Sequence, residues 1–310
     1  MEMRPIHNVL VAGGTGNIGP SIIQALVAAN YTVSVLTRRV FISESLFGRT
    51  VRVIQTDYSL ESLAPAVSGQ DAVVSTLGLG AEKSQTNLLI AAAKSWSSNT
   101  RGVQRFIPSE FGIPNLDLRE NPELARVLQP RIQFRHKMKD IVTKNPQLTY
   151  SGVFTRLWFD WCIKVGLLGF HLDTKSATII DSGNETFKAC DLATAGEAVA
   201  AILRKPTETA NQYITISSHE TTQNKILEEL ERYTGSDWTV MHRSGRELYA
   251  QAWESIQSGH NGWPAMLQAY FFMDRDVEKV PMDNQGSLDG NKLLGIGFCD
   301  LHTTITKLYT

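Results

Sequence analysis

The chain has 310 residues, 42% hydrophobic and 20% charged, with a formal net charge of -1. That length allows one large domain or two closely joined ones, with a core that needs no disulfide or structural metal. The near-neutral balance excludes a strong field for nucleic acid or anionic lipid, and Cys162, Cys190 and Cys299, scattered along the chain, suggest reduced thiols in a cytoplasmic protein.

Met1 to His7 carries one acid and one base, and no small-residue cleavage site follows, so no signal peptide is expected. Asn8–Asn30 is uncharged, but it contains Gly13, Gly14, Gly16, Gly19, Pro20, Asn17 and Gln24. That is too polar for a membrane span. "NVLVAG" reads as a buried strand ended by glycine. "PSIIQALVAAN" reads as a helix with Pro20 in its first turn and Ile22, Ile23, Leu26 and Val27 on one face. "YTVSVLTRR" is a second strand. A strand, a glycine turn, a helix and a strand over about thirty residues form the context in which a glycine fingerprint carries meaning.

The spacing of Gly13, Gly16 and Gly19 then has a specific reading. Gly13 permits the tight turn, Gly16 lets the backbone approach a pyrophosphate, and Gly19 lets the helix pack on the strand. Thr15, Asn17 and Ile18 complete the loop, and the helix N-terminus offers N–H groups to the anion. A glycine turn without a ligand is the plain alternative. The second strand ends in Thr37, Arg38 and Arg39, with no acid before Glu44. An NAD site usually has an acid there for the ribose 2′-OH, whereas Arg38 suits a 2′-phosphate. NADP(H) is therefore the expected cofactor; against it, Arg38 and Arg39 can be a solvated pair.

Further on, "VRVIQTDYSLESLAPAVSGQ" reads as a strand and a helix, "DAVVSTLG" as a strand, "SQTNLLIAAAKSW" as a helix and "VQRFIPSEFG" as a strand entering a loop. The alternation predicts an α/β fold with a doubly wound parallel Rossmann sheet. Ligands of such sheets bind beyond the carboxyl ends of the strands. That marks Gly13–Gly19, Arg38, Asp57–Tyr58, Thr76, Leu77 and Gly78, and the run Ser109, Glu110, Phe111 and Gly112. Ser109 can bond a nicotinamide ribose or a substrate, or simply form a polar turn. No His spacing suits a metal, so none is expected; no G-x-S-x-G elbow suits a hydrolase.

"GGTGNIG" and "RFIPSEFG", with "LTYSGVFTRLWFDW", "DLATAGEAVAAILRKP" and "NKLLGIGFCDLHTTI", resemble the NmrA-like, isoflavone-reductase-like branch of the atypical short-chain dehydrogenases, in its fungal form. The resemblance covers essentially the whole chain, loosely over 220–290. It implies a lysine near the nicotinamide in an F-x-x-K pattern, which Phe134 and Lys137 supply. In the family this lysine stands further ahead of the T-Y strand. A gapless alignment puts Phe134 or His136 near that place, so His136 and Lys139 stay open beside Lys137. A basic helix face with Arg131, Arg135 and Lys139 is the plain alternative. Gly152, Val153 and Phe154 resemble the nicotinamide-side loop. No Tyr-x-x-x-Lys pair is present.

The expected division is a nucleotide-binding domain over 1–155, its sheet completed by parts of 176–218. A smaller, mostly helical substrate-binding subdomain is expected over 156–175 and 219–310. Leu157, Trp158, Phe159 and Trp161 are expected to pack together as core, with the wall of an apolar substrate pocket as the other reading. Met266, Phe271, Phe272 and Met273 suit an adaptable apolar wall or an ordinary helix core. The expected partner is a small-molecule substrate, with the chain a monomer or a homodimer. The resemblance implies an NADP(H)-dependent reductase of a medium-sized apolar or aromatic metabolite, acting on C=C, C=N or C=O, in secondary metabolism. A non-redox cyclase or isomerase on the same fold and a non-catalytic NADP(H) sensor are the other readings.

Overall fold

Alternating apolar strands and amphipathic helices assemble as their periodicity predicts. The computed structural model describes residues 3–39, 50–97, 101–113, 122–274 and 287–309, so Glu44 lies outside the described residues. Six strands, β1 (Asn8–Ala12), β2 (Thr32–Thr37), β3 (Arg52–Gln55), β4 (Ala72–Ser75), β5 (Arg105–Ile107) and β6 (Thr149–Phe154), alternate with four helices. The helices are α1 (Gly19–Ala28), α2 (Leu60–Val67), α3 (Glu82–Lys94) and α4 (Pro122–Lys144). With strands Gln212–Thr215 and Leu288–Asp289 they form an eight-stranded sheet. From one edge the order is β3, β2, β1, β4, β5, β6, Gln212–Thr215, Leu288–Asp289, and every pairing is parallel. The strand order reverses between β1 and β4, the crevice where open α/β sheets bind ligands.

The chain divides into two compact units. The first comprises 1–155, 192–216 and 284–296. On one side of its sheet, Leu63 and Val67 of α2, Leu88 and Leu89 of α3, and Phe134, Met138 and Val142 of α4 pack with Leu10, Val73 and Phe106 of the strands. Elsewhere in the unit, α1 packs against helix Leu192–Arg204 so closely that a Cβ on Gly196 would lie 2.4 Å from the Ser21 carbonyl oxygen. That close approach accounts for a glycine inside "ATAGEA".

The second unit comprises 156–191, 217–283 and 297–310. It holds two three-stranded sheets, one of His219–Thr221, Phe187–Cys190 and Leu157–Trp158, the other of Thr239–Arg243, Ser176–Ile180 and Phe170–His171. Helices Gln223–Thr234, Gly245–Gln257, Trp263–Phe272 and Leu301–Leu308 accompany them. Of 176–218, the part that belongs to the first unit is 192–216, since Phe187–Cys190 pairs antiparallel with His219–Thr221 and Ser176–Ile180 pairs with Thr239–Arg243. Residues 284–296 return to the first unit, where Leu288–Asp289 adds an edge strand. Met266, Phe271 and Phe272 are fully buried, with Phe272 edge-on to Phe187 at 4.9 Å. Leu157 and Phe159 are buried, Trp158 and Trp161 half-buried, and the two indoles meet edge-on at 5.7 Å. Among the described residues, no helix is long and apolar enough to cross a membrane.

One buried cation ties the middle of the first unit together. Arg105 on β5 has no exposed surface. Its guanidinium donates to Thr149 Oγ1 at 2.9 Å, Ser151 Oγ at 2.7 Å, Thr209 Oγ1 at 2.8 Å and the Pro206 carbonyl. Each hydroxyl in turn donates to a main-chain carbonyl, of Gln104, Thr209 and Lys205 respectively. Burial lowers the arginine pKa to about 10, which leaves it protonated at neutral pH. Replacement by leucine strands these acceptors, so Arg105→Leu is expected to lower the unfolding free energy by about 3 kcal/mol in urea denaturation. A change within 0.5 kcal/mol, the ordinary range of a neutral surface substitution, would contradict this role.

Candidate nucleotide and catalytic site

The carboxyl end of β1 is shaped by what its glycines lack. Gly13 has φ +81°, a left-handed conformation that disfavours side chains. A Cβ there would lie 2.8 Å from the carbonyl carbon and oxygen of Thr76. Thr76 cannot retreat, because its amide and its hydroxyl both donate to the Ala12 carbonyl, each at 2.8 Å. The Gly16 amide closes the turn on the Gly13 carbonyl at 2.9 Å. A Cβ on Gly19 would come within 2.4 Å of the Gly14 carbonyl oxygen, and one on Gly14 within 2.8 Å of both Ile23 and Val35 side chains. Gly16 differs: its Cβ would meet only the Gly13 carbonyl oxygen, at 3.3 Å, and the Thr76 carbonyl oxygen, at 4.0 Å. Gly16 and Asn17 are exposed, Thr15 is half-buried and Ile18 is buried. Ile18 gives α1 no side-chain cap, and Pro20 enters the first turn. The first-turn amides are thus left to another acceptor.

Tyr58 stands beside this loop. Its backbone is left-handed at φ +62°. Asn87 Nδ2 donating to its carbonyl and its own amide donating to Thr56 Oγ1, both at 2.9 Å, hold that conformation. Burial pushes its phenol up to about 12, against the opposing pull of the Gly13 backbone and the Arg38 charge. Arg38 is exposed at the end of β2, and its charge acts on the Tyr58 phenol. The expected site residue Asp57 has a different commitment. Its Oδ1 accepts from Ser62 Oγ at 2.6 Å and from the Ser59 amide at 2.8 Å, at the head of α2. Beyond β4, Leu77 is half-buried and Gly78 exposed.

The carboxyl ends of β5 and β6 carry charge and aromatic surface together. The Ser109 amide donates to Gln85 Oε1 at 2.7 Å. Glu110, 1% exposed, accepts from Arg135 Nη2 at 2.5 Å. The Arg135 guanidinium lies over the rings of Phe154 at 5.0 Å and Tyr213 at 5.7 Å. Those two rings stack at 5.4 Å. Gly152 makes room for them, since its Cβ would fall 2.3 Å from Tyr213 Cδ1. Burial and the neighbouring Glu110 charge push the Tyr213 phenol up, although Arg135 pulls it down. Burial, and then the Arg135 charge, lower Arg131, while Glu110 and Glu82 raise it. For Arg135, burial acts against the larger combined pull of Glu110, which raises its pKa. Phe111 and Val153 are buried at the same strand ends.

Helix α4 sorts its candidates by face. Phe134, one of the two positions a gapless alignment offers for the family lysine, is 3% exposed and packs in the core. Lys137 and His136 are exposed. Lys137 leaves the helix about 200° around from Arg135, and among the described residues no hydrogen bond or ion pair joins it to Ser109 or Glu110. Arg131, Arg135 and Lys139 follow one another at i, i+4, and Lys139 Nζ lies 5.6 Å from the Tyr213 ring. The i+4 rows of α4 carry the signal that distinguishes Arg135 from Lys137, and sequence reasoning took those arginines for a basic face.

Comparison with known proteins adds the lineage. Residues 6–302 match the NmrA-like family. The chain is 33% identical over 286 residues to the oxidoreductase poxI of Penicillium oxalicum, covering 92% of this chain and 88% of that one. It is 31% identical over 305 residues to the oxidoreductase aprR of Aspergillus flavus, covering 97% and 98%. A leucoanthocyanidin reductase–NADPH complex from Vitis vinifera shares the fold with a TM-score of 0.74 at 18% identity, over 98% of this chain and all of that one.

The Asp57 geometry generates a pH prediction. Hydrogen bonds from Ser62 and Ser59 lower its carboxyl to about 2. Its stabilising effect is therefore complete above the ordinary carboxyl value and disappears as pH falls through about 2. Asp57→Asn is expected to flatten acid unfolding between about pH 4 and 2, followed by circular dichroism. An unchanged acid limb would refute the assignment.

Proposed function

Because this chain belongs to the NmrA-like family, we propose that it is an NADP(H)-dependent reductase of a medium-sized apolar or aromatic metabolite, acting in secondary metabolism on a C=C, C=N or C=O bond. The observation that carries the cofactor reading is the open side of Gly16 beside the uncapped first turn of α1. The cradle has room for a pyrophosphate at the one glycine where a Cβ would meet nothing but backbone oxygen. Arg38 adds a planar cation for the 2′-phosphate. Both fungal relatives bear the name oxidoreductase, and the Vitis structure contains NADPH.

The cofactor, when bound, supplies the hydride. The chain's own residues orient it and manage charge. Gly13, Thr15, Gly16, Asn17, Ile18 and Gly19 hold the pyrophosphate, with Thr76, Leu77 and Gly78 alongside. Glu110, Phe111, Val153 and Phe154 form the floor at the β5 and β6 ends, and Ser109 brings a hydroxyl to that floor. Arg135, fixed by Glu110 and the Phe154 ring, provides a preorganised positive charge against the negative charge that develops on the reduced group. The pairing with Glu110 gives Arg135 this role in preference to Lys137 and His136, which remain candidates for contacts with cofactor or substrate.

Arg38→Glu is expected to raise the Kd for NADPH at least tenfold and to leave NADH within threefold, measured by calorimetry; equal effects on both would remove the 2′-phosphate assignment. Turnover is read as loss of the reduced-nicotinamide absorbance across a panel of aromatic enones, imines and ketones. With the substrate so found, Arg135→Lys is expected to lower kcat about a hundredfold with NADPH affinity retained, and Lys137→Ala to change kcat less than threefold. The reverse ranking would return the charge-bearing role to Lys137. Product formation without cofactor consumption would replace the reductase by the non-redox reading.

A further inference from the structure

The second unit gathers three metal-binding side chains that sequence spacing did not connect. Asp191 directly follows strand Phe187–Cys190, His219 opens the strand paired with it, and Cys299 lies just before helix Leu301–Leu308. One ligand atom from each of the three lies within 4.8 Å of the other two. Asp191 and His219 are buried and Cys299 is exposed. Two main-chain ties hold the group: the Asp191 amide donates to Ser218 Oγ at 2.9 Å, and the Cys299 amide to the Ser218 carbonyl at 2.7 Å. Phe159 stacks on the His219 ring at 4.3 Å and fixes its plane.

A second observation points into the same space. Asp191 Oδ2 meets His219 Nε2 at 2.9 Å and Thr304 Oγ1 at 3.3 Å. Asp191 Oδ1 is buried as well, yet it has no hydrogen-bond partner among the described residues. A buried carboxylate oxygen without a donor is costly, and a cation is one of the few groups that satisfies it without adding a side chain.

We propose that Asp191, His219 and Cys299 form a binding site for one zinc-type divalent ion. The donor set selects the class: thiolate, imidazole and carboxylate together suit zinc and related borderline ions, whereas magnesium and calcium require oxygen ligands. Zinc–sulfur and zinc–nitrogen bonds of about 2.3 and 2.1 Å put tetrahedral ligand atoms roughly 3.3 to 3.7 Å apart. The His219–Asp191 pair opens slightly to reach that spacing, and Cys299 closes in from the exposed side. Binding exchanges the His219–Asp191 hydrogen bond for two metal bonds; the imidazole proton moves from Nε2 to Nδ1 by way of solvent, and the thiol proton is released to solvent. Three protein ligands leave one position for water. The ion would fasten residues 297–310 to the strand pair, a role separate from the dinucleotide site of the first unit.

The test uses tag-free full-length protein freed of metal by chelation. Zinc is titrated in competition with a chromophoric chelator, and cobalt is then substituted for zinc. One equivalent of zinc, a thiolate-to-cobalt charge-transfer band in the near ultraviolet, and a rise in Tm on zinc addition are expected. Cys299→Ser should lose the band and weaken zinc at least a hundredfold while leaving NADPH affinity unchanged. Asp191→Asn, which preserves shape, should weaken zinc at least tenfold. Absence of stoichiometric binding, or wild-type zinc affinity in Cys299→Ser, overturns the proposal.

Discussion

The dinucleotide crevice depends on the closeness of Gly13 to Thr76. The two strands on either side of the reversal in strand order approach until a single Cβ would fall 2.8 Å from the neighbouring carbonyl. Thr76 is locked there by two bonds to the Ala12 carbonyl. The chain leaving β1 must therefore turn at once in a left-handed conformation, which only glycine adopts without strain. That turn sets where α1 begins and which way its first amides face. A substitution at Gly13 or Gly19 collides with fixed backbone, whereas a Cβ on Gly16 would meet only two carbonyl oxygens, at 3.3 and 4.0 Å.

Two arginines of the first unit, Arg105 buried and Arg135 half-buried, illustrate how one side chain type serves different ends. Arg105 is surrounded by hydroxyls and a carbonyl, with no carboxylate bonded to it. Its charge is distributed over neutral dipoles, and the result is a rigid joint between β5, β6 and residues 206–209. Arg135 is bound to a buried carboxylate and spread over two aromatic faces. Arg131 adds a further charge near Glu110, with Glu82 as a second acid beside it.

Much of this was legible in the sequence because local patterns cause it. The strand–glycine–helix–strand opening follows from β-branched runs, the Gly13, Gly16 and Gly19 spacing and Pro20. The parallel order follows from the alternation of strands and helices. Other features depend on long-range contacts that no local pattern encodes. The role of Gly152 exists only because Tyr213, from a distant strand, lies over it. Ser176–Ile180 looks like any other strand, and only its pairing with Thr239–Arg243 assigns it to the second unit. On α4 the F-x-x-K spacing drew attention to Lys137. It is Arg135, two residues earlier, that pairs with Glu110 at the strand end. Asp191, His219 and Cys299 escaped a search for short metal motifs because three separate segments contribute them.

The central claim is that the first unit is built to hold a 2′-phosphorylated dinucleotide. The most direct measurement is calorimetric titration of the unmodified protein with NADPH and, separately, NADH. One equivalent of NADPH binding at least tenfold more tightly than NADH is the predicted result, since Arg38 directly follows β2 and no acid stands before Glu44. Absence of binding to either, or preference for NADH, would contradict the account.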